Sequence, residues 1–278
     1  MNPNRPLAPT GDEETSNGVV SQRRSPGKFF LLVFALSIPF WLIGAVTGLQ
    51  LLPGVPVAAL MACCPMLAAL ILVYRENKLT SVTILLKRSF DFKRIKAKVW
   101  YAPILLLLPV VSVLSLGVLR LTGSMVPAPQ ITFLPTLILC VICFIFALGE
   151  ELGWSGYAID PMQDRWGALR ASLILGLVWA VWHYVALAQA GRSVAWIAWW
   201  SLYTVTQRVI IVWLYNNTGK SVFAAALFHM MTNVTWQLFP VNGSYFDPRV
   251  TGLILVVVVV IIVVVWEPRT LTRYRYAR

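Results

Sequence analysis

Five side chains of catalytic type lie inside stretches that are otherwise apolar. Glu150 and Glu151 adjoin in the string Gly149-Glu150-Glu151-Leu152-Gly153-Trp154-Ser155-Gly156-Tyr157. His183 closes Trp179-Ala180-Val181-Trp182-His183, and His229 and Asn233 bracket Met230-Met231-Thr232. The protein has only 2 histidines, and both fall in apolar runs. An ionisable group in hydrocarbon is costly and is a functional candidate by default. Two carboxylates, two imidazoles and an amide at similar depth suit hydrolysis. One Glu takes a proton from water, a His orients or shares that proton, and a His and an Asn hold the developing oxyanion. His229 and Asn233 are four residues apart and share a helix face, so both can donate to one oxygen.

Each residue also has a plainer reading. Glu150 and Glu151 sit near a span end and can simply reach the aqueous interface. A lone His in an apolar helix is usually a packing residue. Arg208, in Gln207-Arg208, can snorkel along its own stem; otherwise it needs an anion, and Glu150 and Glu151 are the acidic residues at comparable depth. Trp179 lies one turn before His183 on the same face. Their joint occurrence at one depth favours a site over a scatter of buried charges. Gly149, Gly153 and Gly156 keep their helix slim enough for close approach by its neighbours.

The elements that position these residues must be helices. Hydrophobic residues make up 58% of the chain and charged residues 12%, about half the charged share of a soluble domain. Mean hydropathy is +0.73. Apolar runs near 28–49, 55–74, 99–121, 131–155, 171–190, 194–215, 220–239 and 249–266 are each about long enough to span a bilayer. A span must satisfy its own backbone hydrogen bonds, so the expected fold is all-α, a polytopic membrane protein with about eight transmembrane helices. Residues 1–27 read as a disordered cytoplasmic tail, 28–266 as the transmembrane domain, and 267–278 as a basic cytoplasmic tail.

The formal net charge is +12, but its cations lie between the apolar runs. That is a topological pattern and excludes nucleic acid as the expected partner. Both tails and the loop over 75–98 are basic, and an even span count puts all three on one face, which should be cytoplasmic. The polar residues then lie in the cytoplasmic half and are expected to open to that side. Ile84–Phe92 mixes Leu and Phe with Lys and Arg, as a short surface helix would. Cys63, Cys64, Cys140 and Cys143 all lie in apolar runs and read as packed thiols.

These motifs resemble the CAAX prenyl protease/bacteriocin-processing family of intramembrane peptidases, known as CPBP or Abi. Its pattern is E-E-x-x-x-R, then F-x-x-x-H, then H-x-x-x-N/D on successive membrane helices. Glu150-Glu151, His183, and His229 with Asn233 match in order and placement, over about 130–239. The resemblance implies an endopeptidase in which Glu150 activates water with help from His183. His229 and Asn233 would stabilise the oxyanion and Glu151 would support the site. Trp179 and Arg208 are then candidates for substrate binding. No cofactor is required on this reading, although Glu and His also admit zinc. The implied substrate is a membrane-anchored or lipidated peptide cleaved near the cytoplasmic face. The implied location is a bacterial plasma membrane.

Two positions depart from the pattern. Trp179 stands at the Phe position, which keeps an aromatic face. Ser155 stands at the Arg position, which removes a cation beside the carboxylates. Either Arg208 supplies that charge from another helix, or the chain is a weakened or inactive relative that binds membrane proteins as a scaffold. Gly153-Trp154-Ser155-Gly156 also admits a rhomboid-like serine protease with Ser155 as nucleophile. A transporter is disfavoured, because no internal repeat stands out.

Overall fold

The computed structural model describes residues 24–272. The N-terminal tail expected over 1–27 lies outside them up to residue 23, as does the C-terminal stretch from 273. Eight long helices run through the described residues: α1 (Pro26–Thr47), α2 (Cys64–Lys87), α3 (Tyr101–Leu121), α4 (Phe133–Gly153), α6 (Ala168–Gln189), α7 (Val194–Asn217), α8 (Val222–Leu238) and α9 (Pro248–Val265). A short α5 (Ile159–Trp166) follows α4. A small antiparallel hairpin, β1 (Gln50–Leu52) and β2 (Val55–Pro56), joins α1 to the 3-10 turn that leads into α2. The chain is an all-α, polytopic integral membrane protein.

Helix boundaries follow capping chemistry. The side chains of Ser193 and Ser221 accept from the amides of Trp196 and Ala224 and start α7 and α8. Asp247 caps α9 with Pro248 at its first turn. These side chains satisfy amides that have no partner within the helix.

Six stretches are long and apolar enough to cross a membrane by length and composition alone. Helices α7 and α8 are not among them. They carry Gln207, Arg208, His229 and Asn233, and they are the inner helices: α7 packs against α6, α8 and α9, and α8 packs against α4. Residues Val209 to Leu214 of α7 are all buried. The outer helices instead expose large apolar side chains such as Leu31, Val113, Phe133 and Val257, as a lipid-facing surface must.

Three expected boundaries shift. Helix α2 runs past the apolar stretch to Lys87, and no separate surface helix forms over Ile84–Phe92. Asp91 there caps α8 instead: its carboxylate accepts from Ser221 Oγ at 2.7 Å and from the Phe223 amide at 3.0 Å. The span expected over 131–155 continues without a loop, through a π-turn at Trp154–Ala158, into α5. The segment expected to begin the C-terminal tail docks: the carbonyls of Arg269 and Pro268 accept the first amides of α6, and Leu271 is buried. Orphan helix-end amides and an apolar anchor make this contact favourable.

The bundle has two ends. The basic end carries the Lys- and Arg-rich stretch 75–98, the π-turn, and Lys220. The hairpin end carries β1–β2 and the loops 122–132, 190–193 and 239–247.

Candidate active site

Helix α4 brings both carboxylates into the bundle by close backbone approach. A side chain at Gly153 would stand 2.5 Å from the Pro65 carbonyl oxygen, and one at Gly149 would stand 2.8 Å from that of Ala62. Only glycine lets α4 sit this close to the start of α2. The π-turn that follows widens the helix by one residue, a feature often found at functional sites. It frees the Gly156 carbonyl, which accepts from Arg24 Nη1 at 3.0 Å and Arg88 Nη1 at 3.1 Å. Arg88 Nη2 also donates to Tyr215 at 2.9 Å. This clamp fixes the end of α4 from the basic side.

Adjacent residues on a helix point about 100° apart, and the two carboxylates have different surroundings. Glu150 lines a cavity. Its Oε2 accepts from Trp179 Nε1 at 2.7 Å and Trp154 Nε1 at 3.2 Å, and its Oε1 lies 3.9 Å from His229 Nε2. Glu151 is fully buried behind it. Its Oε2 pairs with Arg208 Nη1 at 2.9 Å and accepts from Ser155 Oγ, while its Oε1 accepts from His229 Nδ1 at 3.0 Å.

Arg208 is itself fully buried, with its guanidinium 4.2 Å from the centre of the Trp179 ring. It does not snorkel. It reaches the carboxylate that Ser155 also contacts, so α7 supplies a cation to Glu151. Arg208 does not line the cavity; its ion pair is with Glu151, and it lies behind the cavity-lining Trp179. Ser155 Oγ is spent on the same carboxylate and has no imidazole partner among the described residues. A nucleophilic serine needs such a base, so the geometry offers no serine-protease pair.

Trp179 joins the parts. Its indole N–H holds Glu150, its carbonyl accepts from His183 Nδ1 at 2.8 Å, and its ring packs edge-on to both histidines. With Nδ1 so engaged, His183 presents Nε2 as its remaining nitrogen. Trp182 and Trp200 complete an aromatic collar around His183. Asn233 and Thr232 line the same cavity from α8, and Gln207 lines it from α7. Glu150, Trp179, His183, His229 and Asn233 are therefore brought together. The sequence reading missed Trp154, although its position four residues after Glu150 predicts that contact. It also missed Trp200 and Gln207, which no spacing rule ties to the motifs.

The cavity measures about 390 Å³ and is mostly apolar. Its far wall is formed by Leu51, Leu52 and Gly54 of the hairpin, Ala190 after α6, and Trp236 and Gln237 at the end of α8. It runs along α4 from Glu150 to Leu139, about 16 Å at a rise of about 1.5 Å per residue. Its floor is closed by aromatic packing: Trp154 stacks edge-on to Trp182 at 5.6 Å and to Phe29 at 5.3 Å, and all three are fully buried. The site was expected to open toward the basic face. The cavity extends instead to residues of the hairpin end, and aromatic side chains fill the basic end beside Glu150.

Zinc fits this arrangement poorly. Both oxygens of Glu151 are engaged by Arg208, Ser155 and His229, and a guanidinium competes for the lone pairs a metal would need. Among the described residues, no three His, Cys, Asp or Glu side chains group so as to hold an ion. The four cysteines are free, and only Cys143 lines the cavity.

The fold and the buried Glu–His–Arg cluster define a class: a helical membrane protein with ionisable side chains gathered inside its bundle. Residues 132–235 match the model of the Rce1-like family, described as type II CAAX prenyl endopeptidase Rce1-like. The chain is also similar to CAAX prenyl protease 2 of Methanococcus maripaludis, at 26% identity over 247 residues, which cover 81% of this chain and 88% of the relative. Motifs and comparisons agree on the CPBP family and support a CAAX-type intramembrane peptidase.

Proposed function

We propose that the chain is an intramembrane endopeptidase in which Glu150 is the general base. The observation that carries this reading is the convergence of Glu150, His183, His229 and Asn233, from three helices, on one cavity. A water beside Glu150 Oε1 gives its proton to that oxygen as it attacks the substrate carbonyl. His183 accepts a hydrogen bond from the same water at Nε2 and orients it. The carbonyl oxygen gains negative charge and meets the Asn233 amide and, with both ring nitrogens of His229 carrying protons, His229 Nε2–H. Glu150 then passes the proton to the leaving nitrogen. Two indole N–H groups hold Glu150 Oε2, so only Oε1 is presented for proton transfer.

Glu151 acts through His229. With its charge held by Arg208 and Ser155, it accepts His229 Nδ1–H and aims Nε2 at the cavity. Arg208 is thereby a positioning residue and not a substrate contact. The substrate is a membrane-anchored or lipidated peptide, as suited to an apolar cavity in a bilayer-embedded bundle. The scaffold reading rested on Ser155, and the buried Arg208 contact supports activity instead.

The test is cleavage of a panel of membrane-anchored peptides by the reconstituted protein and by Glu150→Ala. Cleavage by the first and not the second is expected. Equal cleavage by both removes Glu150 as the base.

A further inference from the structure

On α7 the chain repeats the division seen on α4. Arg208 turns behind the cavity to Glu151, and its neighbour Gln207 turns toward the cavity. Trp200, Tyr203 and Gln207 all line the cavity from α7, at the spacing of one helix face. The depth of Gln207 follows from the short turn over 218–221 that joins α7 to α8. Gln207 lies ten residues before the end of α7 at Asn217, and Thr232 lies ten residues after the start of α8 at Val222. Both are about 15 Å from that turn at a rise of about 1.5 Å per residue. Gln207 is therefore level with the stretch between His229 and Asn233.

Gln207 is 1% exposed, and its Nε2 is buried without a hydrogen-bond partner among the described residues. The side chain approaches the Tyr203 hydroxyl one turn earlier but closes no bond to it. A buried amide left in this state is costly, and an apolar side chain of the same shape would pack there without that cost. No hydrogen bond fixes which end of the amide meets the cavity, and a half-turn about its last bond exchanges them. The cavity walls around it are mostly apolar. A peptide seated there sheds water from its own N–H and C=O groups, and each then needs a new partner. Among the other polar groups at this depth, Thr232 Oγ1 donates to the Phe228 carbonyl, and Glu150, His183, His229 and Asn233 serve the reacting atoms.

We propose that Gln207 is a substrate-binding residue that holds the peptide backbone beside the scissile bond. In an extended stretch, the N–H and C=O of one residue point to the same side and can both be bonded by one partner. A carboxamide matches both: Oε1 accepts the N–H, and Nε2 donates to the carbonyl. This rests on the peptidase reading above and adds to it the group that fixes the register of the substrate. The orphan amide of the free protein is then the group that the substrate completes.

The test measures binding apart from turnover. Dye-labelled peptides of the membrane-anchored panel are titrated into the full chain bearing Glu150→Gln, with and without Gln207→Met, and Kd is read by fluorescence anisotropy. Methionine keeps the length of the side chain and removes both polar atoms. Kd should rise by about tenfold, as for the loss of a pair of neutral hydrogen bonds. The melting temperature should hold or rise, because an unpaired buried amide is gone. A Kd unchanged by Gln207→Met overturns the proposal, as does failure of every panel peptide to bind Glu150→Gln. An ester scan of the best-bound peptide separates direct contact from indirect loss and leaves the protein intact. Replacing one backbone N–H by oxygen should weaken binding about fivefold with Gln207 present and not at all with methionine there. Equal losses in both proteins at every position overturn the backbone contact. With Glu150 restored, Gln207→Met should raise KM by about tenfold at nearly constant kcat, as for an interaction made alike in the ground and transition states. A fall in kcat alone overturns the assignment and places Gln207 among the oxyanion donors. Absence of turnover by the parent chain strikes the peptidase reading and leaves the binding result standing.

Discussion

On the cavity side of α4, Glu150 meets two indole N–H groups and leaves one oxygen toward open space. On the rear side, Glu151 meets a guanidinium, a hydroxyl and an imidazole, with both oxygens engaged and no exposure. The two residues are neighbours in the chain and identical in chemistry. The difference lies in which helix each faces. A carboxylate with a free oxygen at a cavity can exchange protons with a bound water. A carboxylate locked in a buried ion pair cannot do so without breaking contacts that are costly to lose. Identical side chains thus divide into a reacting group and a structural one, and the division can be broken residue by residue.

Arg208→Gln should have the largest effect, because it leaves Glu151 buried without its cation. Removing one partner of a buried pair typically costs about 3–5 kcal/mol. Thermal unfolding in detergent should show a clear loss of stability, and hydrolysis should fall with it. Unchanged stability would mean that Glu151 is not held as described. Asn233→Ala acts on the cavity side alone. It should lower kcat by about 10²–10³-fold, the usual effect of removing one oxyanion donor, with the melting temperature nearly unchanged.

Trp179→Phe keeps the ring but removes the donor to Glu150 Oε2. A hydrogen bond to a charged group is worth about 1.5–3 kcal/mol, and the loss should appear in kcat more than in KM. Ser155→Ala should matter least. Glu151 retains Arg208 and His229, so a stability change of about 1 kcal/mol is expected, with hydrolysis preserved. Loss of all hydrolysis in Ser155→Ala, together with labelling of Ser155 by a fluorophosphonate, would restore the serine nucleophile.

Much of this was legible in the residues. Seven of the eight apolar runs mark long helices within a few residues, because a lipid-facing helix must be apolar over its whole crossing; the run at 55–74 marks α2 with both ends displaced. The cluster was legible because ionisable groups in such runs stand out, and the need of Arg208 for an acidic partner pointed to the carboxylates. The partition between Glu150 and Glu151 was not legible. It depends on the π-turn, on the Gly153 contact with Pro65, and on which face α7 turns toward α4, and none of these has a one-dimensional signature. The direction of the cavity was misread for a related reason. Position along a helix gives depth, but the run of the cavity is set by side chains distant in sequence, among them Phe29, Trp154 and Trp182, which fill the space at one end. Docking of Pro268–Leu271 was hidden because a basic composition masks a single buried leucine.

The account stands on Glu150 being the carboxylate that reacts. The most direct test is the turnover of a membrane-anchored peptide by reconstituted Glu150→Gln, with folding checked by its melting temperature. Glutamine keeps an oxygen for the two indoles, so the variant should fold. Turnover should drop by about 10²–10⁴-fold, the usual contribution of a general base, with the melting temperature close to that of the parent. A folded Glu150→Gln protein that cleaves at the parent rate would contradict the account.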